Sequence, residues 1–379
     1  MAGTTKLKLI VNTIPLVNVN TGIGRYLKCL YQNLEALYGD RVEFIYFDGR
    51  GASRTLPNGP QNYGQWSRRV DLFWKIPAPA AVLIRTLFQW QRELRFQAAA
   101  RRCDLYHEAA FFPFLPPKGV KTVFTLHDFS LFRFPQYHPK ERVLFARLFF
   151  KRRCRLVRHY IAVSEFTRGE ARQFLDLNGS SVSVIPLAHN SDLFYPRRAE
   201  EIRDLRKRFS LPEDYFVFVG TGDPRKNRPI ISAALVAAGL SIPLVTAGWS
   251  GWSSQSRVEK AIVPLDYVAD DDLARLYSGA RALVYPSIYE GFGLPVLEAM
   301  SCGCPVICSR RAGLPEAAGD AALYLDDPAN VEHLAELLGR LVASEPLRRD
   351  LIARGLAQAA RFSWEATAKS TFSSFLNAL

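Results

Sequence analysis

Two glutamates eight residues apart, Glu290 and Glu298, flank the run Gly291-Phe292-Gly293-Leu294-Pro295. Carboxylates so placed can accept hydrogen bonds from a polyhydroxylated ligand. A glycine turn that opens a helix adds backbone N–H groups and the positive end of the helix dipole, which favour a phosphate. The preceding Arg281-Ala282-Leu283-Val284-Tyr285-Pro286 has the composition of a short buried strand, and Pro295 suits a first helical turn, where its missing N–H costs nothing. The expected order is strand, glycine loop, helix. A phosphate would sit over Gly291 and Gly293, with Glu298 in the first helical turn and Glu290 at the strand end facing the same crevice. Taken alone, Glu298 reads more readily as a helix-dipole partner and Glu290 as a solvated loop residue, so the weight lies on the combination.

Other residues of chemical interest sit at comparable places. Gly220-Thr221-Gly222-Asp223-Pro224-Arg225-Lys226-Asn227 puts two cations in a turn at an expected helix start. Cations there oppose the dipole and call for a compensating anion or open solvent. His127 follows the strand-like Lys121-Thr122-Val123-Phe124-Thr125-Leu126, although a lone histidine is more often structural than chemical. Gly22 and Gly24, within Thr21-Gly22-Ile23-Gly24-Arg25, allow close backbone approach to a phosphate or sugar, as would any tight turn. Asp270-Asp271-Asp272 reads as the acid-rich start of a helix rather than as a metal-diphosphate site.

The elements that must position these residues form two series. Leu7–Val11, Val42–Phe47, Asp104–His107, Thr122–Leu126, Tyr160–Val163 and Val182–Pro186 are short strand-like runs with room for helices between them. Tyr215–Val219, Leu244–Gly248, Ala261–Val263, Ala282–Tyr285, Pro305–Cys308 and Ala322–Leu325 repeat the pattern. Strands alternating with helical segments imply parallel sheets covered on both faces, hence an α/β chain of two doubly wound domains. The expected division is 1–190 and 191–360, with 361–379 returning to the first domain. Ligands of such sheets bind beyond the carboxyl ends of the strands.

At 379 residues and 48% hydrophobic composition the chain is long enough for two cores. No run approaches the length of an apolar membrane span, and the start of the chain lacks a signal-peptide layout, so a cytoplasmic protein is expected. The six cysteines (Cys29, Cys103, Cys154, Cys302, Cys304, Cys308) match no zinc spacing and read as reduced thiols. The net charge of +13 is uneven: residues 1–190 hold 28 Lys and Arg against 13 Asp and Glu, and the remainder holds 21 against 23. Two basic blocks are interleaved with aromatics. One runs from Trp66, Arg68 and Arg69 through Phe73, Trp74 and Lys75 to Arg85, Trp90, Arg92, Arg95 and Arg101-Arg102; the other spans Arg142 to Arg153. Such helices suit the surface of an anionic bilayer, or equally an ordinary core with a solvated rim. Without a zinc-finger or RNA-recognition signature, nucleic acid is not expected as a partner.

The full run from Glu290 to Met300, followed by Gly303-Cys304-Pro305-Val306, resembles the donor-site signature of the retaining GT-B glycosyltransferases of family 4, also called group 1. The resemblance is strong over 215–330, looser before 190, and spans essentially the whole chain. It implies two Rossmann-like domains facing across a cleft, transferring a sugar from a nucleotide-sugar donor with no metal or other cofactor. His127, Glu290 and Lys226 become the candidate catalytic residues. The candidate donor-binding residues are Gly22, Gly24, Arg225, Lys226, Gly291, Phe292, Gly293, Leu294 and Glu298. In the family's pattern Glu298 holds the ribose, Glu290 and His127 lie near the transferred sugar, and Lys226 meets the diphosphate. Many relatives carry Arg where this chain has Thr221, and Arg225 is the neighbour able to take over that charge.

Arg361-Phe362-Ser363-Trp364-Glu365-Ala366-Thr367-Ala368 resembles the family's final helix, with Ser363 as N-cap, crossing back to the first domain. Asp104-Leu105-Tyr106-His107-Glu108 looks like a segment common among mannosyltransferase-like members and favours GDP-mannose, with UDP-glucose, GDP-fucose and a rhamnose donor open. The expected acceptor is a growing glycan on a polyprenyl diphosphate at the inner face of the plasma membrane, in cell-surface polysaccharide synthesis. Three rival readings are a nucleotide-sugar epimerase of the same fold, a dinucleotide-dependent oxidoreductase built on Gly22, Gly24 and Asp48, and a non-catalytic membrane scaffold. The oxidoreductase reading lacks the third glycine of its fingerprint.

Overall fold

The computed structural model describes residues 6–18, 22–59, 77–175, 177, 181–248 and 262–379. Thr21, Ala261 and the aromatic-basic residues Trp66, Arg68, Arg69, Phe73, Trp74 and Lys75 lie outside them. The chain divides into two compact units, residues 1–187 with Trp364–Leu379, and Ala188–Ser363. The expected boundaries at 190 and 361 thus move by three residues. Arg361 and Phe362 stay with the second unit because their N–H groups close the preceding helix on Gln358 and Ala359. Phe362 also packs edge-on against Phe292, with ring centroids 5.7 Å apart.

The first unit holds a seven-stranded sheet of β1 (Leu7–Asn12), β2 (Val42–Phe47), β3 (Ala52–Ser53), β4 (Leu105–Glu108), β5 (Lys121–Leu126), β6 (His159–Ala162) and β7 (Ser181–Val184), in the order β3-β2-β1-β4-β5-β6-β7. All neighbours are parallel except β3, which pairs antiparallel with β2 at the edge. That two-residue strand is too short to leave a periodic signal in the sequence.

The second unit repeats the plan with β8 (Phe216–Val219), β9 (Leu244–Ala247), β10 (Ile262–Leu265), β11 (Ala282–Tyr285), β12 (Val306–Ser309) and β13 (Ala322–Leu325), all parallel, in the order β10-β9-β8-β11-β12-β13. Strands covered on both faces read as unbroken apolar runs rather than alternations, which is why Ala282-Leu283-Val284-Tyr285 and Val306-Ile307-Cys308-Ser309 are wholly buried. In each unit the strand order reverses at one place, between β1 and β4 and between β8 and β11. Loops leaving the carboxyl ends of those strands diverge there and leave a crevice.

The final helix, Trp364–Ala378, belongs to the first unit. It packs on the helix Gly22–Tyr38, stacking Phe372 on Tyr38 at 3.8 Å and setting Trp364 5.9 Å from Tyr26. Gly22 and Gly24 do not form a loop. A short helix, Ile14–Asn18, follows β1, and the two glycines lie in the first turn of Gly22–Tyr38, with Gly24 buried. Asp48 accepts the N–H groups of Arg50 and Gly51, both at 2.8 Å, and so closes its own turn.

Of the segment Asp104–Glu108, expected to bear on the donor, Asp104 is exposed and Leu105 to Glu108 are core. His107 lies in β4 with Nδ1 2.5 Å from the Tyr31 hydroxyl and Nε2 2.8 Å from Thr125 Oγ1, and burial pushes it down to about 3, so it is neutral. Glu108 is buried and accepts hydrogen bonds from the Tyr106 hydroxyl, Asn12 Nδ2 (2.9 Å) and Ala110 N–H (2.7 Å). Burial outweighs these bonds and pushes its carboxyl up to about 7.

The folded value lies above the unfolded 4.5, so Glu108 contributes stability that is fully present below about pH 4.5 and is lost as pH rises toward 7. Denaturant titrations of wild type and Glu108→Gln across this window should show wild type losing roughly 3 kcal/mol relative to the variant as pH rises. A difference independent of pH contradicts this assignment.

Candidate active site

The crevice of the second unit lies where the loops after β8 and β11 part. Asp223 begins a single 3₁₀ turn, Pro224–Lys226, by accepting the Arg225 N–H at 2.9 Å. Its carboxylate also takes the Arg225 guanidinium through Nε (3.1 Å) and Nη2 (2.6 Å). The anion that two cations at a helix start demand is therefore within the chain, one residue before the proline. Arg225 is committed to Asp223, and Lys226 is left as the cation facing the loop after β11.

Lys226 Nζ donates to Glu290 Oε1 at 2.7 Å and to the Tyr285 hydroxyl at 2.8 Å, with Nζ 5.2 Å from that ring's centroid. The side chains of Lys226 and Glu290 are 18% and 14% exposed, so the ammonium is largely enclosed yet reachable. Burial alone would push Lys226 down, but the Glu290 charge and the Tyr285 hydroxyl outweigh it, and its pKa is raised. Lys226 is a permanent cation at neutral pH. An ammonium has three donors, and these two bonds use two of them.

Backbone contacts hold the two loops together. Ile288 N–H donates to Arg225 O (2.9 Å), and Asn227, in the left-handed region at φ 53°, donates through Nδ2 to the carbonyls of Pro286 (3.3 Å) and Pro328 (2.6 Å). Gly313 N–H donates to Glu290 O at 3.0 Å. A Cβ on Gly313 would stand 2.3 Å from Gly291 O, so only glycine lets the loop after β12 close on Glu290-Gly291.

Gly293, at φ 124°, is the N-cap of the helix Leu294–Ser301. The first N–H groups of a helix have no carbonyl one turn back, so the amide of Leu294 is available to an anion. The side chains of Phe292 and Leu294 are buried, and these residues can serve a ligand only through their backbone. Glu298 is not in the first turn. The helix begins at Leu294, which puts Glu298 in the second turn, 1% exposed, with Tyr277 donating to its Oε2 at 3.4 Å.

The structure thus gathers Arg225, Lys226, Glu290 and the Gly291–Leu294 loop at one end of the second sheet. Sequence reading missed Tyr285, Asp223 and Asn227 as parts of this assembly. The helix Asp270–Gly279 begins with its three aspartates as expected; Asp271 and Asp272 pair with Arg275, and Asp271 also with Arg197 at 2.8 Å.

Gly22, Gly24 and His127 belong to the first unit. His127 Nε2 lies 3.0 Å from Ala109 O, a pure acceptor, so Nε2 carries the proton and Nδ1 is left as an acceptor. Burial pushes the imidazole down, against smaller opposing effects of Ala109 and Asp128, and keeps it neutral. Tyr26 meets it edge-on at 4.9 Å.

Removing one partner of the Lys226–Glu290 pair strands a buried charge. Lys226→Met should lower the unfolding free energy by about 3 kcal/mol, and adding Glu290→Gln should restore most of it. Chemical denaturation of the single and double variants measures this; no loss in Lys226→Met would mean the pair is not a structural tie.

Residues 20–193 match the family described as Glycosyltransferase Family 4, and residues 201–358 match Glycosyl transferases group 1. The chain is 34% identical to the O-antigen chain mannosyltransferase B of Escherichia coli, over 97% of this chain and 99% of that protein. It is 26% identical to the O-antigen chain mannosyltransferase RfbU of Salmonella typhimurium, over 88% and 93%. Among solved structures, sucrose-phosphate synthase from Thermosynechococcus elongatus superposes with a TM-score of 0.70 at 20% identity, over 98% of this chain and 99% of that one. WaaG, a glycosyltransferase involved in lipopolysaccharide biosynthesis, gives 0.66 at 14%, over 97% and 99%. The fold is GT-B, and the chain belongs to glycosyltransferase family 4, the group 1 glycosyltransferases.

Proposed function

We propose that this glycosyltransferase moves mannose from GDP-mannose, with retention at the anomeric carbon and without a metal, to a glycan acceptor on a polyprenyl diphosphate during cell-surface polysaccharide synthesis. The observation that carries the chemistry is the enclosed Lys226 ammonium beside the glycine loop. The near full-length similarity to an O-antigen chain mannosyltransferase supports the sugar.

Breaking the glycosidic bond leaves positive charge on the sugar and negative charge on the β-phosphate. Lys226 and the Gly293 and Leu294 amides are assigned to that phosphate, where loss of one preorganised donor costs about 3 kcal/mol. The departing phosphate takes the acceptor hydroxyl's proton. Glu290, which accepts from Lys226 at 2.7 Å, is assigned to positioning the transferred sugar rather than to nucleophilic attack, in keeping with a reaction on one face of the sugar. His127 Nδ1 is assigned to a hydroxyl of the transferred sugar. Glu298 is assigned to the donor ribose on the family resemblance, and Gly22 and Gly24 to close backbone approach.

An inner-membrane location is supported by apolar side chains left in solvent. Leu83, Leu87, Trp90 and Leu94 are all exposed, Trp90 by 61%, and their spacing makes one stripe of the helix Ala78–Ala100. Leu144 and Leu148 are exposed on Lys140–Cys154 beside exposed Arg147, Lys151 and Arg152. Arg153 is not part of this surface, because it forks onto Glu93 at 2.8 and 3.0 Å.

Incubation with GDP-mannose and a synthetic lipid-diphosphate acceptor should yield an α-mannoside in the presence of EDTA, and Lys226→Ala should slow turnover by roughly 100-fold. Transfer only from a UDP-sugar would defeat the donor assignment, and an inverted product the stereochemical one. Replacing Arg147, Lys151 and Arg152 together with Glu should weaken binding to anionic vesicles in a salt-dependent manner. Unchanged sedimentation with vesicles would remove that surface from the account.

A further inference from the structure

A cavity of about 370 Å³ opens in the first unit and is lined by residues of that unit. Its size falls in the range that encloses small ligands, roughly 300–1,000 Å³. Arg85, Arg92 and Arg142 line it, with Asp128 as the single lining carboxylate among the described residues, and Asp128 Oδ1 is turned to the Ser130 N–H at 2.9 Å. Behind the wall, Glu141 is buried and takes Arg85 Nη2 at 3.1 Å. The cavity therefore gathers three guanidinium groups against fewer carboxylates. Burial and the charge of Arg85 push Arg142 down to about 10, and desolvation with the same charge lowers Arg92 at the rim. Guanidinium groups crowded in one cavity repel one another, and a bound anion relieves that repulsion.

Much of the rest of the wall is phenylalanine, including Phe112, Phe132, Phe145 and Phe150 inside, with Phe88 and Phe111 exposed. Guanidinium forks match phosphate oxygens, and the phenylalanines match an apolar group attached to that phosphate. His127 lies on the same wall, so an anion held here is within a cavity's span of the group assigned to the transferred sugar.

We propose that this cavity binds the phosphate end of the acceptor, a phosphate or diphosphate ester with an apolar neighbour, Arg92 and Arg142 holding the phosphate and the phenylalanines the first part of the apolar group. The inference rests on the reading of the acceptor as phosphate-bearing. It further implies a short acceptor, with few sugars between the phosphate and the growing end. The ester is supplied either by a lipid-linked glycan or by a free sugar phosphate.

Calorimetric titration of the full-length protein with farnesyl diphosphate, farnesol, inorganic pyrophosphate and glucose 1-phosphate tests this. Farnesyl diphosphate should bind at least tenfold more tightly than farnesol, and Arg92→Gln and Arg142→Gln should each weaken it tenfold or more, with GDP affinity and thermal midpoint unchanged. Lysine at either position should recover part of the loss. A tenfold preference for farnesyl diphosphate over pyrophosphate and glucose 1-phosphate supports the lipid-linked source, and comparable affinities that all fall in the variants support the soluble one. Farnesyl diphosphate binding that is absent, or equal in wild type and in the well-folded rim variant Arg92→Gln, overturns the proposal. Failure of the mannosyl-transfer reading would show separately, as no turnover of GDP-mannose while Arg-dependent binding in the cavity persists.

Discussion

The candidate site depends on one enclosed ammonium. Lys226 reaches from the turn after β8 to Glu290 and Tyr285 on the far side of the strand-order reversal. A charge taken this far out of water is tolerable only with a close counter-charge and satisfied donors. The pair therefore fixes the spacing of the two loops that a nucleotide-sugar must approach. It also sets the chemistry: the ammonium stays charged across the physiological range and can meet a phosphate that gains charge as the glycosidic bond breaks.

Small residues make this geometry possible. Gly313 lets the loop after β12 lie on Gly291, Gly293 takes a backbone angle that side chains rarely adopt, and Asn227 uses its left-handed conformation to send Nδ2 to two carbonyls. Asp223 neutralises Arg225 two residues on, which divides the labour of adjacent cations: Arg225 braces the turn and Lys226 faces the crevice. The first unit uses its polar core differently. His107 and Glu108 are sealed among tyrosines, threonine and asparagine, where they tie β4 to its neighbours.

Much of the fold was legible because central parallel strands leave continuous apolar runs; Val42–Phe47, Ala282–Tyr285 and Ala322–Leu325 stand where those runs predict. The edge strand Ala52–Ser53 left no such trace. The glycine loop, its strand and its helix were also readable, with Pro295 in the first turn, but Glu298 was placed one turn too early. Gly293 at positive φ makes Leu294 the first helical residue and carries Glu298 into the second turn. Tyr285 passed as one more buried strand residue, since nothing local marks a hydroxyl whose partner lies 59 residues away in sequence. Arg153 read as a surface cation for the same reason, its partner Glu93 being on another helix. Patterns of neighbours reveal elements; partners distant in sequence emerge only from the fold.

The central claim is that Lys226 serves the β-phosphate of the donor. The most direct measurement is a binding cycle of GDP and GMP with wild type and Lys226→Ala at constant ionic strength. The account predicts that wild type prefers GDP clearly and that the preference largely vanishes in the variant, with GMP affinity little changed. An undiminished preference for GDP in Lys226→Ala would contradict it.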